Sequence, residues 1–355
     1  MAAAPVAVTL RRNGVSPAAA VAYWLGNPLL NPAVLGFLFF VSPWQWTLTR
    51  MVVGIAAVLG VAVSVGFVTQ QISALSALAS AHRATPMVAR TLTQYAAPTT
   101  FGAKAARWLN GVLDACERLR ALVTPIQLGG AVGTHSATTE LATLLTGAGD
   151  PAAVSDRLVL GTATTLGLDV RLPWHTTRTP VTAAADALVG CTDCWGAIAS
   201  DVVTLGRPEI AELSEPVTEK RGRSSSVPHK RNPVLSILIR RAAMSAPSLA
   251  ATLHTAAALA NDERPDGSWH AEWDTLRTLA RRTVVAGSQC GELLAGLEVH
   301  SAQMAENLGA ADVLGEQRAI AELAGKPASP TYFGAVDRLI DASLARAEWI
   351  LTGRS

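Results

Sequence analysis

Apolar positions that recur every three or four residues dominate this chain, and they predict helices. The clearest run lies over 179–205, where Val181, Ala184, Leu188, Cys191, Trp195, Ile198, Val202 and Leu205 fall on one stripe. A stripe of this kind is the seam of a long helix in a bundle. Thr179 is placed to cap that helix and Pro180 suits its first turn. At 1.5 Å per residue it spans roughly 40 Å. Amphipathic patterns over 99–124, 233–260 and 268–297 predict three more helices, with Pro233 in a favoured first-turn position. A Gly-rich turn, QLGGAVGT, covers 127–134. No stretch sustains period-two alternation with hairpin turn residues, so the expected fold class is all-α, a long-helix bundle.

The N-terminal pattern differs. No charged residue occurs from Asn13 to Thr49, and after Arg50 none occurs from Met51 to Ala81. The run Met51–Val68 is as apolar as a bilayer-spanning helix, which needs roughly 20 such residues. The run Asn31–Trp46 ends in two tryptophans, a residue that favours the membrane boundary. These features predict a hydrophobic helical hairpin over 28–68 that turns between Pro43 and Arg50 and inserts in a membrane. A hairpin buried in a soluble core would read the same way. The expected domains are 1–70 (hairpin), 71–298 (central helical bundle) and 299–355 (a short C-terminal helical domain).

Composition narrows the function classes. The formal net charge is +2, which excludes a broad nucleic-acid-binding face. Only four of the 29 cations are lysines, so Lys230 is one of few ammonium groups. Four cysteines at this length make no secreted disulfide framework and point to a reducing compartment. Cys191 and Cys194 form a CxxC, but Cys191 lies in the packed stripe with no second pair, so packing is the expected role. The enzyme-like part is expected in the cytoplasm.

The segment RGRSSSVPHKRNPVLS, residues 221–236, collects hydroxyls and cations before an apolar helix. Glycine, prolines and three serines disfavour a regular element there. A solvated basic loop would have the same composition. Interleaved cations and small donors, leading into free N–H groups at a helix start, also suit a carboxylate.

This loop resembles the G-S-S-x-M-P-x-K-x-N-P motif of the fumarase/aspartase superfamily. Ser224, Ser225, Pro228, Lys230, Asn232 and Pro233 match in register, while Arg223 replaces the glycine and Val227 the methionine. AHRATPMVARTLTQYAAPTTFG (81–102) resembles that superfamily's substrate-binding segment, in the form found in 3-carboxy-cis,cis-muconate cycloisomerases; SWHAEWDTLR (268–277) is similar to the same branch. Adenylosuccinate lyases share the Pro-His-Lys-Arg-Asn-Pro run only. The resemblance covers about 74–344.

The resemblance implies an all-α homotetramer, a small carboxylate substrate, and no metal or organic cofactor. It implies formation or cleavage of a C–O or C–N bond beside a carboxylate, through a carbanion that fixed donors stabilise. Ser224 would be the base, with Tyr95 and His229 as further catalytic candidates; His270 is another histidine to consider. Ser225, Lys230, Asn232, Arg90, Thr91 and Gln94 would bind substrate, the last two from another subunit. The pattern departs from the family at Leu92 and Tyr95, where histidines are usual, and at Ile237, where fumarases carry an orienting glutamate. A Ser/Thr-rich segment that completes the family's pocket is expected upstream, where this chain has the apolar hairpin; GNPLLNPAVLGFLFFVSPWQW (26–46) resembles bacterial permeases. The stretch 307–344 looks contracted. The leading expectation is conversion of 3-carboxy-cis,cis-muconate to a carboxymuconolactone in protocatechuate breakdown. The alternatives are an adenylosuccinate-lyase-like C–N lyase and a catalytically inactive, membrane-tethered remnant.

Overall fold

A computed structural model describes residues 66–147, 149–216, 221–222, 227, 230–310 and 312–353. These are mostly helical. In chain order they form α1 (66–81), β1 (Pro86–Thr91), β2 (Gln94–Thr100), α2 (Phe101–Arg120), α3 (Ser136–Thr146), α4 (Pro151–Leu166), α5 (Thr179–Leu205), β3 (Leu213–Ser214), α6 (Val234–Ala258), α7 (Gly267–Ala295), β4 (Glu298–Val299), α8 (Ser301–Gly309), α9 (Gly315–Ala324) and α10 (Val336–Thr352). The chain divides into two compact units, and α5, α6 and α7 each contribute residues to both.

The first unit takes 119–188 and 246–284. Asp150 starts α4 by accepting the Ala153 N–H at 3.0 Å, with Pro151 in the first turn. Gly167 ends it at φ 63°, a left-handed conformation that glycine adopts without strain. Ile126, Val159 and Ala163 form the core here, backed by Leu128, Leu166 and Leu168. Arg178 and Glu272 form a buried two-point ion pair, and the guanidinium packs on the Trp174 ring, 4.8 Å from its centroid. The Thr179 hydroxyl accepts from Arg171 at 3.2 Å, so the expected cap is spent on a neighbouring side chain.

The second unit takes 67–118, 189–245 and 285–355. Its core carries the α5 stripe: Cys191, Trp195, Ile198, Val202 and Leu205 are all buried. Glycines let large groups into this core. Gly287 on α7 faces the Trp195 indole so closely that a Cβ there would lie 2.9 Å from a ring carbon. The Trp195 N–H donates to Gln71 Oε1 at 2.8 Å, and Gln71 Nε2 donates to the Gly287 carbonyl at 2.8 Å. Gln71 is fully buried with both ends bonded, as a buried amide must be. C-terminal helix α10 packs on α1 and α2 through Ile340, Ala79, Ala105 and Ala106. Arg83 binds Asp337 and Asp341, and Arg346 binds Asp114 and Glu117, at the edges of that contact. All four cysteines lie in this unit, and Cys116, Cys191 and Cys290 are buried. Burial pushes the Cys191 thiol up to about 12, which suits packing rather than chemistry. No cluster of three or more metal-type ligands occurs among the described residues.

The helical fold class holds, with one local addition: β1 and β2 pair antiparallel, with Thr91 opposite Gln94 and only Leu92 and Thr93 between them. Both turn residues have positive φ, 47° and 74°. That geometry is a two-residue hairpin turn, normally signalled by Asn-Gly or similar pairs. Leu-Thr carries no such signal, so the pattern hid the turn. The proposed membrane hairpin falls on residues outside the described ones, apart from 66–68. Those three are helical within α1, and Val68 is buried in protein core.

Candidate active site

The β1–β2 hairpin and the segment leading into α6 lie in the second unit and hold the residues singled out by sequence. On the hairpin, Thr91 and Gln94 face each other beside the turn and are exposed. Gln94 Nε2 donates to Thr93 Oγ1 at 3.1 Å. Leu92, at the tip, is 97% exposed. The tip thus presents an apolar side chain from a backbone conformation that costs non-glycine residues energy.

Arg90 is turned the other way. Its guanidinium meets the Glu212 carboxylate at two points, 2.7 and 3.0 Å, and Glu212 is fully buried. Asn307 of α8 adds a third bond to Glu212 at 2.8 Å. Burial works against the Arg90 charge, but the bonds to Glu212 outweigh it and hold the guanidinium above its ordinary pKa. The Tyr95 ring lies under Arg90, 5.2 Å from the guanidinium carbon. Arg90, one residue pair behind the turn pair, therefore ties the tip half of the hairpin to the segment before β3.

On the other segment, Lys230 is exposed, with its N–H bonded to the Val227 carbonyl at 3.0 Å. Asn232 is half-buried; its N–H and its Nδ2 both donate to the Gly222 carbonyl, at 2.8 and 3.3 Å. Ser224, Ser225 and His229 lie outside the described residues. His270 belongs to the first unit, exposed on α7, with its ring tilted against Trp273 and bonded to the Asp266 carbonyl at 2.8 Å. Ile237 is half exposed on α6.

The first N–H groups of α6 have a partner that sequence reasoning missed. Glu215 Oε2 accepts from Leu235 at 3.0 Å and Oε1 accepts from Ser236 at 2.7 Å. The expected anion at this helix start is therefore the protein's own carboxylate. Three residues earlier, Glu212 holds Arg90. His300 completes the arrangement: its N–H bonds the Glu212 carbonyl at 3.0 Å and its Nε2 lies 2.6 Å from the Ser214 hydroxyl. The only signal for this in the sequence is the spacing of acids in EIAELSEP, residues 209–216. Acidic spacing of that kind is common on solvated surfaces, so nothing set it apart.

A family described as lyases matches residues 53–247, a span that includes both the hairpin and the segment into α6. The chain belongs to this lyase family. The match begins inside the apolar run Met51–Val68, so that run is shared between the expected membrane hairpin and the lyase region. Nitrosuccinate lyase from Streptomyces davaonensis is 47% identical over 240 residues, 66% of this chain and 49% of that one. A 3-carboxy-cis,cis-muconate cycloisomerase from Bradyrhizobium diazoefficiens is 40% identical over 246 residues, 68% of this chain and 51% of that one. The chain thus spans about half the length of the curated relatives it matches. The solved 3-carboxy-cis,cis-muconate lactonizing enzyme of Pseudomonas putida superposes with a TM-score of 0.65 at 20% identity, covering 98% of this chain and 93% of that one. At that identity the likeness concerns the fold. Together these place the chain in the fumarate lyase superfamily.

Proposed function

We propose that this lyase-family chain acts, as a homotetramer, by eliminating a stable anion from a small substituted dicarboxylate, with nitrosuccinate as the first substrate to test. The observation that carries the reading is Leu92. Many superfamily lyases carry a histidine at that place, which can protonate a departing group. Here the hairpin tip offers an exposed hydrocarbon, and the Tyr95 ring beside it is stacked under Arg90. Nitrite departs as a stable anion and needs no proton from the enzyme. The 47% identity to a nitrosuccinate lyase supports the same choice.

The step balances simply. A base, assigned by motif to Ser224, takes the proton from the carbon beside a carboxylate. The electron pair moves first onto that carboxylate and then into the new C=C bond. The C–N bond breaks, nitrite leaves with its electrons, and fumarate remains. Lys230 and the neighbouring serines would hold the extra negative charge as it develops. Thr91 and Gln94 would reach the substrate from another copy, which fits their exposure on the hairpin.

Lactonisation of 3-carboxy-cis,cis-muconate is the second reading, favoured by the 40% identity to a cycloisomerase and by the segment 268–277. It uses the same carbanion in reverse: a carboxylate oxygen adds to the double bond and carbon takes a proton. Two assays separate the readings: nitrite release with fumarate formation, and loss of the conjugated diene. Lys230→Ala should lower kcat/KM by about 10²-fold in whichever assay is positive. If the full chain turns over neither compound, both readings fall and the non-catalytic alternative stands.

A further inference from the structure

From Pro86 to Thr100 the hairpin carries a single Lys, Arg, Asp or Glu, and that residue is Arg90. Its guanidinium is engaged inside the protein. Nη2 and Nη1 donate to the two oxygens of Glu212 at 2.7 and 3.0 Å, and Nη1 also reaches the Val88 carbonyl at 3.4 Å. Glu212 is held from another side by α8. Asn307 donates one amide hydrogen to Glu212 Oε1 and the other to the Ile210 carbonyl, both at 2.8 Å, while its own oxygen accepts from Gln303 at 3.1 Å. Every polar atom of this buried amide is used, so its donor faces the carboxylate in one orientation only. Side chains alternate across a strand, so Arg90 and Tyr95 share one face of the hairpin while Thr91 and Gln94 share the other. The exposed run Thr91, Leu92, Thr93, Gln94 and Tyr95 thus presents hydrogen-bonding and apolar groups with no free cation.

We propose that Glu212 is a positioning residue that sets substrate specificity: by holding Arg90 in the interior it keeps the hairpin face neutral, so this face admits an uncharged substituent of a dicarboxylate and disfavours a third carboxylate. A carboxylate brought against Thr91 and Gln94 gives up hydration and finds no positive charge in return. A nitro group carries no net charge and gives up far less. The inference deepens the elimination reading and rests on it, because it takes the hairpin to face substrate.

Calorimetric binding of two acids to the full chain tests this without turnover: succinate, a dicarboxylate, and propane-1,2,3-tricarboxylate. Wild type should bind succinate at least as tightly as the tricarboxylate; a clear preference for the tricarboxylate would overturn the proposal. Glu212→Gln keeps the side chain's shape but leaves the Arg90 charge unbalanced next to Thr91. It should shift the affinity ratio towards the tricarboxylate by about fivefold or more. Leu92→Lys, at a position 97% exposed, puts a cation on the tip without touching the buried pair and should shift the ratio the same way.

An unchanged ratio in Leu92→Lys would overturn the proposal, because the hairpin would then not face the acid. A ratio that moves there but not in Glu212→Gln would overturn it too, because the buried pair would not govern selection. If Glu212→Gln does not fold, Arg90→Met combined with Glu212→Leu takes its place; with both charges gone it should keep the wild-type ratio, and a shifted ratio would count against the proposal. Nitrosuccinate turnover by wild type, with a ratio that neither single variant moves, would sink this inference and leave the elimination reading standing. Ratios that shift as expected in a chain without turnover would do the opposite. Failure of wild type and variants alike to bind either acid would overturn both.

Discussion

Replacing Arg90 by alanine should unfold this protein far more readily than the loss of a surface cation would. Glu212 is fully buried, and its charge is balanced by two bonds from Arg90 and one from Asn307. Arg90 is itself only 12% exposed, so solvent screens the pair little. With Arg90 gone, the carboxylate keeps, among the described residues, one neutral side-chain donor, the Asn307 amide. Breaking a buried pair from one side costs about 3–5 kcal/mol, most of it the stranded charge. Arg90→Lys should cost less, about 1.5–3 kcal/mol, because an ammonium keeps the charge but cannot make the two-point contact. Arg90→Met combined with Glu212→Leu should recover most of the loss, since neither charge remains buried. Urea unfolding at fixed protein concentration reads all three, as a shift in midpoint with the slope unchanged. Arg90→Ala within about 0.5 kcal/mol of wild type would refute the reasoning, since a change that small is ordinary for surface positions. So would a double variant less stable than the single one. An arginine whose work is substrate binding predicts the reverse pattern: unchanged unfolding and a raised KM.

Gly287→Ala drives a methyl group into the Trp195 ring and should cost about 1–3 kcal/mol, read by the same unfolding curves; an increase in stability would show that the indole can move aside. Two histidines should make stability fall in mild acid. Burial holds His82 below its ordinary pKa, and burial with nearby Arg264 and Arg178 does the same for His175. The folded state therefore favours the neutral rings, and the unfolded chain binds more protons below its pKa of about 6.5. Their contribution is complete above that pH and is lost as pH falls below it through the lowered pKa values of the folded state. NMR titration of the two rings checks this, and midpoints at or above 6.5 would contradict it.

Much of the helical framework was legible in the chain. The stripe over 179–205 became α5 with the bounds its periodicity suggested, because burying a seam along a bundle requires apolar residues at fixed spacing. The other long helices were legible to within a few residues for the same reason. The hairpin was not, since Leu92 and Thr93 adopt left-handed conformations that neighbouring structure enforces and their identity does not announce. The candidate site divides in the same way. The types and order of its residues, from Thr91 to Asn232, stood in two motifs that any reader of the sequence could find.

What each charged group faces was a different matter. Arg90 read as a substrate ligand until Glu212 lay beneath it, and the start of α6 read as an open anion site until Glu215 filled it. Those partners lie 122 and 21 residues away along the chain. Periodicity records which side of an element is dry, because that is a local property of spacing. It holds no record of which distant carboxylate a cation will meet, because only the folded backbone sets that distance.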